Sequence, residues 1–207
     1  MYFISEKIVY VGLYVRDCGF SKHILNFNAN LISKGVDQQL FLPVQQLHVT
    51  LVKIDLGKSI LNKATFAKLL RLLNSVCSKF TFKKLSSHKF LFGETSKSIK
   101  VYLDVKSTNF INKVREFIIR ELNCLSGINY YDEGSFVPHL TILPSTNKLK
   151  FNEICTIKSL IRSIDDNSIP DISIRSCSML LPSDHFSNDI KTQSLIAAAK
   201  KLAIQFH

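Results

Sequence analysis

Residues 136–143 read Phe-Val-Pro-His-Leu-Thr-Ile-Leu, and residues 47–52 repeat the middle of that pattern as Leu-His-Val-Thr-Leu-Val. In each stretch a histidine and a threonine stand two residues apart among apolar residues, which gives the pairs His48 with Thr50 and His139 with Thr141. Because side chains alternate along a β-strand, both polar residues of a pair point to one face. We therefore expect two strands to bring two imidazoles and two hydroxyls into one cleft.

The composition is that of one folded domain with an anionic partner. The 207 residues can bury a sizeable core, and a hydrophobic fraction of 46% with 21% charged residues is ordinary for a globular protein. No linker rich in Pro, Gly or Ser divides the chain, so we expect a single domain over residues 1–207. The net charge of +11 favours a nucleotide or nucleic acid as partner. Charge that only maintains solubility is the alternative.

The cysteines and the first residues indicate a compartment. The five cysteines are odd in number and scattered in apolar contexts, which predicts reduced core thiols rather than a disulfide framework or a CxxC metal site. Residues 1–7 include Glu6 and no long apolar run, so we expect neither a signal peptide nor a transmembrane segment. The expected location is the cytoplasm, with the nucleus as the alternative, and no membrane partner is expected.

Apolar periodicity predicts alternating strands and helices. Strands are predicted at residues 8–15, 47–54, 80–82, 89–92, 98–105, 137–143 and 172–181. Helices are predicted at residues 21–35, 58–79, 109–125, 150–164 and 192–206. Residues 129–135 are predicted to form a polar loop ahead of the second motif.

Two histidines on neighbouring strands suit displacement at a phosphodiester. Histidine titrates near neutral pH, and the reaction needs a base for the attacking oxygen and an acid for the departing one. The threonine hydroxyls can donate hydrogen bonds to the non-bridging phosphate oxygens. A single His-x-Thr is a common coincidence, so the matched second copy is what favours catalysis. Neither histidine is accompanied by an HExxH, a CxxC or a carboxylate cluster, so no metal or other cofactor is expected.

The two motifs resemble the two-histidine (2H) phosphoesterase superfamily, whose pattern is two copies of His-x-Thr/Ser flanked by hydrophobic residues. That pattern is matched by His48-Val49-Thr50 and His139-Leu140-Thr141. The resemblance includes the strand Tyr10-Val11-Gly12-Leu13 and covers residues 8 to 181. The form Phe-Val-Pro-His-Leu-Thr looks like the LigT-like branch that includes the central domain of an A-kinase anchoring protein and viral 2′,5′-phosphodiesterases. The helix predicted at 192–206 lies beyond the matched region.

The resemblance implies a bilobal α+β fold of LigT-like type, in which two antiparallel sheets face a central cleft with helices on the outside. It also implies metal-independent chemistry, with His48 and His139 as acid and base and with Thr50 and Thr141 binding the phosphate. Either histidine can fill either role in a near-symmetric cleft, so the assignment stays open at this point.

Aromatic residues before the second motif are candidates for stacking on a base, because they fall in the loop expected to overhang the cleft. They are Phe136, Tyr130 and Tyr131. Core packing is the alternative for Phe136. Tyr14 and Lys53 are interpreted as ordinary surface or core residues, although both are possible cleft-edge groups. The remaining histidines lie at a helix start, a turn, a loop and the terminus and are set aside: His23, His88, His185 and His207.

The function predicted from the sequence is a phosphodiesterase for small 2′-linked nucleotides. Its substrate would be 2′,5′-oligoadenylate or a cyclic dinucleotide with a 2′,5′ bond such as 2′,3′-cGAMP, which would suit a viral antagonist of innate immune signalling. One alternative is an RNA 2′,3′-cyclic phosphodiesterase or an exonuclease that trims RNA 3′ ends. The other is a catalytically silent nucleotide-binding or scaffold domain, against which the two intact motifs argue. We expect a monomer that binds a small nucleotide or short oligonucleotide, without an obligatory protein partner.

Overall fold

A computed structural model of the chain describes residues 8–16, 19–55, 63–81, 84–125, 128–131, 136–144 and 146–180. The strands in these ranges are β1 Ile8–Val15, β2 His48–Asp55, β3 Ser87–Gly93, β4 Ser98–Leu103, β5 Asn129–Tyr131, β6 His139–Leu143 and β7 Ile174–Leu180. The α-helices are α1 Gly19–Ser33, α2 Lys63–Lys79, α3 Val105–Asn123 and α4 Phe151–Arg162. The helix predicted at 192–206 lies outside the described residues.

The strands form one antiparallel, seven-stranded sheet in the order β3-β4-β6-β2-β1-β7, with β5 paired to β2. The sheet has two sections, β3-β4-β6 and β5-β2-β1-β7, which are joined where Val49 of β2 pairs with Leu140 of β6. By contrast, β1 and β2 pair along their length from Ile8 to Tyr14. The expected α+β fold with antiparallel strands is confirmed. The two sheets expected to face a cleft are present as two sections of one sheet, which is continuous through this short junction.

The core lies on one face of the sheet, against the helices. In β1 the buried residues Val9, Val11 and Leu13 alternate with residues that face the other side. Helix α3 turns a buried stripe toward the core, made of Ile111, Val114, Ile118 and Leu122, which follows the three- and four-residue spacing of one helical face. In the ranges that the structure describes, no helix combines the length and apolarity needed to cross a membrane.

The strand predicted at 80–82 is wrong for its described residues, Phe80 and Thr81. The Phe80 amide donates to the Val76 carbonyl at 3.0 Å, which continues the bonding of α2. The Phe80 ring then packs edge-on against Phe110 and Phe117 of α3, with centroids 6.3 and 5.6 Å apart. Packing against α3 therefore keeps Phe80 at the end of α2, although aromatic residues are enriched in strands.

The cysteine prediction is wrong in part. Cys177 is buried, but Cys77, Cys124 and Cys155 are exposed. Cys77 lies on α2 and Cys155 on α4, and Cys124 directly follows α3. Apolar neighbours in the sequence therefore do not show that a cysteine on a helix is buried, because adjacent positions on a helix point in different directions.

Helix α3 begins at Val105, four residues before the predicted start at Asn109. Asp104 is the N-cap, and its carboxylate accepts from the Ser107 amide at 2.7 Å. The same turn is tied to the start of β3, since the Asp104 amide donates to the Ser86 carbonyl at 3.0 Å and the Ser86 amide donates to Ser107 Oγ at 2.8 Å. The cap therefore fixes α3 against the sheet section that carries β4 and β6.

We expect Asp104→Ala to lower the free energy of unfolding by about 1 kcal/mol, because an N-cap carboxylate is replaced by a residue that cannot accept from the helix amides. Urea unfolding measures this as a lower midpoint with an unchanged m-value. Asp104→Asn is the matched control, since asparagine caps about as well as aspartate. Equal losses for both variants would show that the charge, not the cap, stabilises this helix.

Candidate active site

Strands β2 and β6 bring the two His-x-Thr motifs side by side. From the Val49–Leu140 pair, counting one residue outward along the antiparallel strands places His48 opposite Thr141 and Thr50 opposite His139. Val49 and Leu140 are fully buried, so the four polar side chains, each half-buried, share the opposite face. The two histidines are diagonal neighbours, which places them roughly 7–8 Å apart at the backbone. A single phosphate group fits between two imidazoles at that spacing.

Both imidazoles are held in the same tautomer by the main chain. His48 Nδ1 lies 2.8 Å from the Gln46 carbonyl oxygen, and His139 Nδ1 lies 2.8 Å from the Val137 carbonyl oxygen. A carbonyl only accepts, so each Nδ1 carries a hydrogen and donates it. Nε2 is therefore the nitrogen of each ring that can accept a proton. His48 Nε2 lies 3.1 Å from Thr50 Oγ1, which confirms that this histidine and its threonine share one face.

Each histidine has a tyrosine beside it on the adjoining strand. Tyr14 of β1 pairs with His48, with ring centroids 6.0 Å apart. Tyr102 of β4 pairs with His139, with centroids 5.6 Å apart. The site thus has a local twofold symmetry about the Val49–Leu140 pair. Burial raises the pKa of Tyr14 to about 12, so this phenol keeps its proton and can donate a hydrogen bond.

The two histidines differ in their electrostatic surroundings. Burial lowers the pKa of both imidazoles, and the main-chain hydrogen bond at Nδ1 opposes this in each. The pKa of His139 is lowered further by the positive charges of Lys100, His48 and Lys53. Burial therefore favours the neutral form of both rings, and the two lysines favour it additionally at His139.

A β-bulge in β2 turns Lys53 into the cleft. Val11 of β1 pairs with Val52 and Gly12 pairs with Thr50, so Leu51 is an extra residue without a partner in β1. Leu51 and Val52 are both buried, after which Lys53 lies on the same face as Thr50. Without the extra residue, strand alternation would point Lys53 into the core. The reading of Lys53 as an ordinary surface or core residue is therefore corrected by its effect on His139.

The carbonyl at the bulge is held by α3. Arg115 Nε donates to the Leu51 carbonyl oxygen at 3.2 Å, and its guanidinium lies over the Phe136 ring, 4.6 Å from the centroid. Leu51 follows the first motif directly, and Phe136 precedes His139 by three residues. One side chain thus contacts the segments that carry both histidines.

The three aromatic residues predicted to overhang the cleft lie in different places. Phe136 is half-buried against the core, beneath Arg115. The loop predicted at 129–135 is wrong for its first three residues, which form β5 and pair with residues 53–55 of β2. Strand alternation then separates the two tyrosines. Tyr131 lies opposite Lys53 and is 47% exposed, whereas Tyr130 packs against the core and donates to Asn123 Oδ1 at 2.8 Å.

The described histidines outside the motifs lie away from this cleft. His88 is exposed on β3. His23 is half-buried on α1 beside Phe90, with ring centroids 6.0 Å apart, and burial lowers its pKa. Across the described ranges, no group of three or more His, Cys, Asp or Glu side chains is arranged to hold a metal ion.

The chain matches the family model of the AKAP7 2'5' RNA ligase-like domain over residues 2–179. It belongs to this family. The membership confirms the resemblance to the 2H phosphoesterase superfamily that the two motifs indicated. No curated protein matches the chain.

Solved structures similar to this chain include those of LigT from E. coli. LigT complexed with 3'-AMP is 12% identical, with a TM-score of 0.48, over 71% of this chain and 78% of that chain. LigT in its apo form is 14% identical, with a TM-score of 0.48, over 72% and 82% of the two chains. A further structure, of a phosphoesterase, is 10% identical, with a TM-score of 0.43, over 86% and 87% of the two chains.

Three residues that lie at the site were not identified from the sequence: Tyr102, Lys100 and Arg115. The first two alternate in β4 with buried Ile99 and Val101, which is a visible strand pattern. The pattern does not reveal which strand pairs with β4, since nothing in the local sequence indicates that this strand adjoins β6. Arg115 gives no such signal, because a basic residue on a predicted helix is ordinarily solvated.

We expect Arg115→Met to lower the free energy of unfolding by about 1 kcal/mol, because the part-buried Leu51 carbonyl loses its side-chain donor. Arg115→Gln, which keeps an N–H donor without the charge, should lose less. Urea unfolding of the two variants provides the comparison. A loss as large in Arg115→Gln as in Arg115→Met would assign the stabilisation to the cation over the Phe136 ring instead of the hydrogen bond.

Proposed function

We propose that this protein is a metal-independent phosphodiesterase that cleaves small 2′-linked nucleotides, such as 2′,5′-oligoadenylate or a cyclic dinucleotide with a 2′,5′ bond. The observation that carries the proposal is the antiparallel pairing of β2 with β6, which sets two His-x-Thr motifs diagonally on one face. A protein that only binds a nucleotide has no need of two matched proton-transfer groups. The name of the matched family, 2'5' RNA ligase-like, supports the 2′,5′ linkage.

In the proposed mechanism the phosphorus lies between the two imidazoles. His139 Nε2 accepts the proton of the attacking oxygen, which is a water or the neighbouring ribose 3′-hydroxyl, as the new O–P bond forms. His48 Nε2 donates its proton to the departing 5′-oxygen as that P–O bond breaks. The hydroxyls of Thr50 and Thr141 donate to the non-bridging oxygens, where negative charge builds. Exchange of one proton with water then restores both rings.

The charges around His139 support its assignment as the base. A base must be neutral before the reaction, and Lys100 and Lys53 lower the pKa of His139. His48 has no such lysine among the causes of its shift, and its Nε2 lies at hydrogen-bond distance from Thr50 Oγ1. An N–H on His48 therefore has an acceptor within its own motif before substrate arrives.

The experiment that tests the function is a cleavage assay in EDTA with a panel of phosphodiesters. The panel contains 2′,5′-oligoadenylate, 3′,5′-oligoadenylate, cyclic dinucleotides with and without a 2′,5′ bond, and an RNA that ends in a 2′,3′-cyclic phosphate. We expect cleavage of 2′,5′ bonds alone. Cleavage confined to the RNA end would favour an RNA-processing enzyme, and binding without turnover would favour a nucleotide-binding domain.

His48→Ala and His139→Ala should each lower kcat by at least about 10²-fold, because each removes a positioned acid or base. The fold should persist, since both rings are only half-buried. His88→Ala is the matched control, as it removes an exposed imidazole on β3, which β4 separates from the motif strand β6, and it should leave kcat unchanged. Full activity in either motif variant, with a native circular dichroism spectrum, would remove that histidine from the mechanism.

The pH dependence of kcat/KM should be bell-shaped, with its maximum below about pH 6.5, the ordinary histidine pKa. The sign follows from burial, which lowers the pKa of both His48 and His139 in the free enzyme. At low pH, kcat/KM falls because the base becomes protonated. At high pH, kcat/KM falls because the acid loses its proton. A bound phosphodiester anion favours the protonated rings, so the kcat profile should lie at higher pH than that of kcat/KM. A maximum well above pH 7 for kcat/KM would contradict these surroundings.

A further inference from the structure

The twofold symmetry of the site is broken beside its two threonines. On the β1 side, the residue that pairs with Thr50 is Gly12, which has no side chain. On the β4 side, the residue that pairs with Thr141 is Lys100. The motifs themselves are matched, so one threonine has a cation on the adjoining strand and the other has none.

We propose that Lys100 is a further catalytic residue, whose ammonium group binds the same non-bridging oxygen of the cleaved phosphate as the Thr141 hydroxyl. The proposal rests on the phosphodiesterase function proposed above and adds a charged ligand to the reacting group. No bond to Lys100 forms or breaks in the reaction. The ammonium group stays protonated and offsets the negative charge that builds on this oxygen in the transition state.

The strand register places Lys100 directly beside the reacting group. His48 lies opposite Thr141, and Thr141 lies opposite Lys100, so the three residues form one row across β2, β6 and β4. Neighbouring strands are about 4.8 Å apart, and the flexible stem of a lysine can extend its ammonium group over that distance. The ammonium group can therefore reach an oxygen that the adjacent threonine also binds.

Lys100 lies on the cleft face of β4. Its neighbours in the strand, Ile99 and Val101, are fully buried in the core, so strand alternation places the half-buried Lys100 on the opposite face. Tyr102, two residues along the same face, pairs with His139. The positive charge of Lys100 lowers the pKa of His139, which agrees with an ammonium group on the histidine face.

No carboxylate neutralises Lys100 within the described ranges. It takes part in no ion pair there, and its cross-strand neighbours are uncharged, namely Leu91 of β3 and Thr141 of β6. A half-buried charge is costly unless it is paired, and hydrogen bonds between charged groups are among the strong ones. A phosphate oxygen in the cleft supplies the anion that the protein itself does not place beside this lysine.

The oxygen at Thr50 has no such ligand on the adjoining strand. Gly12, which pairs with Thr50, pairs on its other side with Ser178 of β7, an uncharged residue. Lys53 lies further along β2, past the bulge, and not in the row of either threonine. The two non-bridging oxygens are therefore bound unequally, and the charge of the transition state is stabilised mainly on the oxygen at Thr141.

The test measures kcat/KM for a 2′,5′-linked adenylate dinucleotide. The pH-independent value is taken from a full pH profile, so that a changed pKa of His139 is not mistaken for a lost contact. Lys100→Met should lower kcat/KM by at least about tenfold, because a charged hydrogen bond to the phosphate is lost. Lys100→Arg, which keeps the charge, should retain most of the activity.

Lys89→Met is the matched control. Lys89 is a half-buried lysine of β3 that pairs with Tyr102, so it lies on the same face but one strand further from the reacting group. The variant loses the same charge as Lys100→Met and should leave kcat/KM nearly unchanged.

A double-mutant cycle identifies the oxygen that Lys100 binds. If Lys100 and Thr141 share one oxygen, the double variant Lys100→Met/Thr141→Ala should lose clearly less activity than the product of the two single fold-losses. Thr50→Ala is the comparison, because Thr50 serves the other oxygen. Its coupling to Lys100→Met should be smaller.

Three results would overturn the proposal: an unchanged kcat/KM in Lys100→Met, an equal loss in Lys89→Met, or a coupling to Thr141 no larger than the coupling to Thr50. If the wild-type protein does not cleave the dinucleotide, the proposed function fails, and calorimetric binding then decides the contact separately. The probes are the dinucleotide and its methylphosphonate analogue, in which a methyl group replaces one non-bridging oxygen and removes the charge. Tighter binding of the phosphodiester, by a margin that falls in Lys100→Met, would retain the contact. An unchanged margin, equal affinity for the two probes or no binding of either would reject it.

Discussion

The site depends on one pair of apolar residues, Val49 and Leu140, which join the two sections of the sheet. Both are fully buried, and their burial fixes which face of each strand the flanking polar residues take. A slip of one residue would turn the histidines of one strand toward the core, so the hydrophobic face specifies the register. Packing on one side of the sheet thereby sets the positions of the two histidines on the other, and the motif hydrophobic residues are as necessary to this arrangement as the histidines.

The features around this pair are duplicated, and duplication alone cannot distinguish an acid from a base. Each imidazole donates to the carbonyl two residues before it, and each has a tyrosine on the adjoining strand. These contacts set tautomer and orientation equally for both rings. The difference must come from outside the motifs, and the structure supplies it through Lys100 and Lys53, whose charges act on His139. The proposed assignment of acid and base therefore depends on charged residues that lie outside the two motifs.

The sequence predicted what depends on local pattern and missed what depends on partners. The motif strands, the amphipathic helices and the family followed from alternation, helical spacing and the paired motifs themselves. The three-residue β5 was not found, because so short a segment has no period of its own and exists through its pairing with β2. For the same reason the sequence did not identify Lys100 and Tyr102 as residues of the site. They lie beside the second motif because β4 pairs with β6. Lys53 was interpreted as an ordinary surface or core residue, and regular alternation could not have placed it on the histidine face, because the extra residue Leu51 shifts the pattern.

That inserted residue links the chemistry of the cleft to the helical layer behind it. As an extra residue in β2, Leu51 reverses the alternation and brings Lys53 to the face of the histidines. Leu51 has no partner residue in β1, and Arg115 of α3 donates to its carbonyl oxygen at 3.2 Å. A bulge costs ladder hydrogen bonds, so it persists where another group replaces them. Arg115 therefore stabilises the local geometry that gives His139 its second positive neighbour, although it lies on the helix side of the sheet.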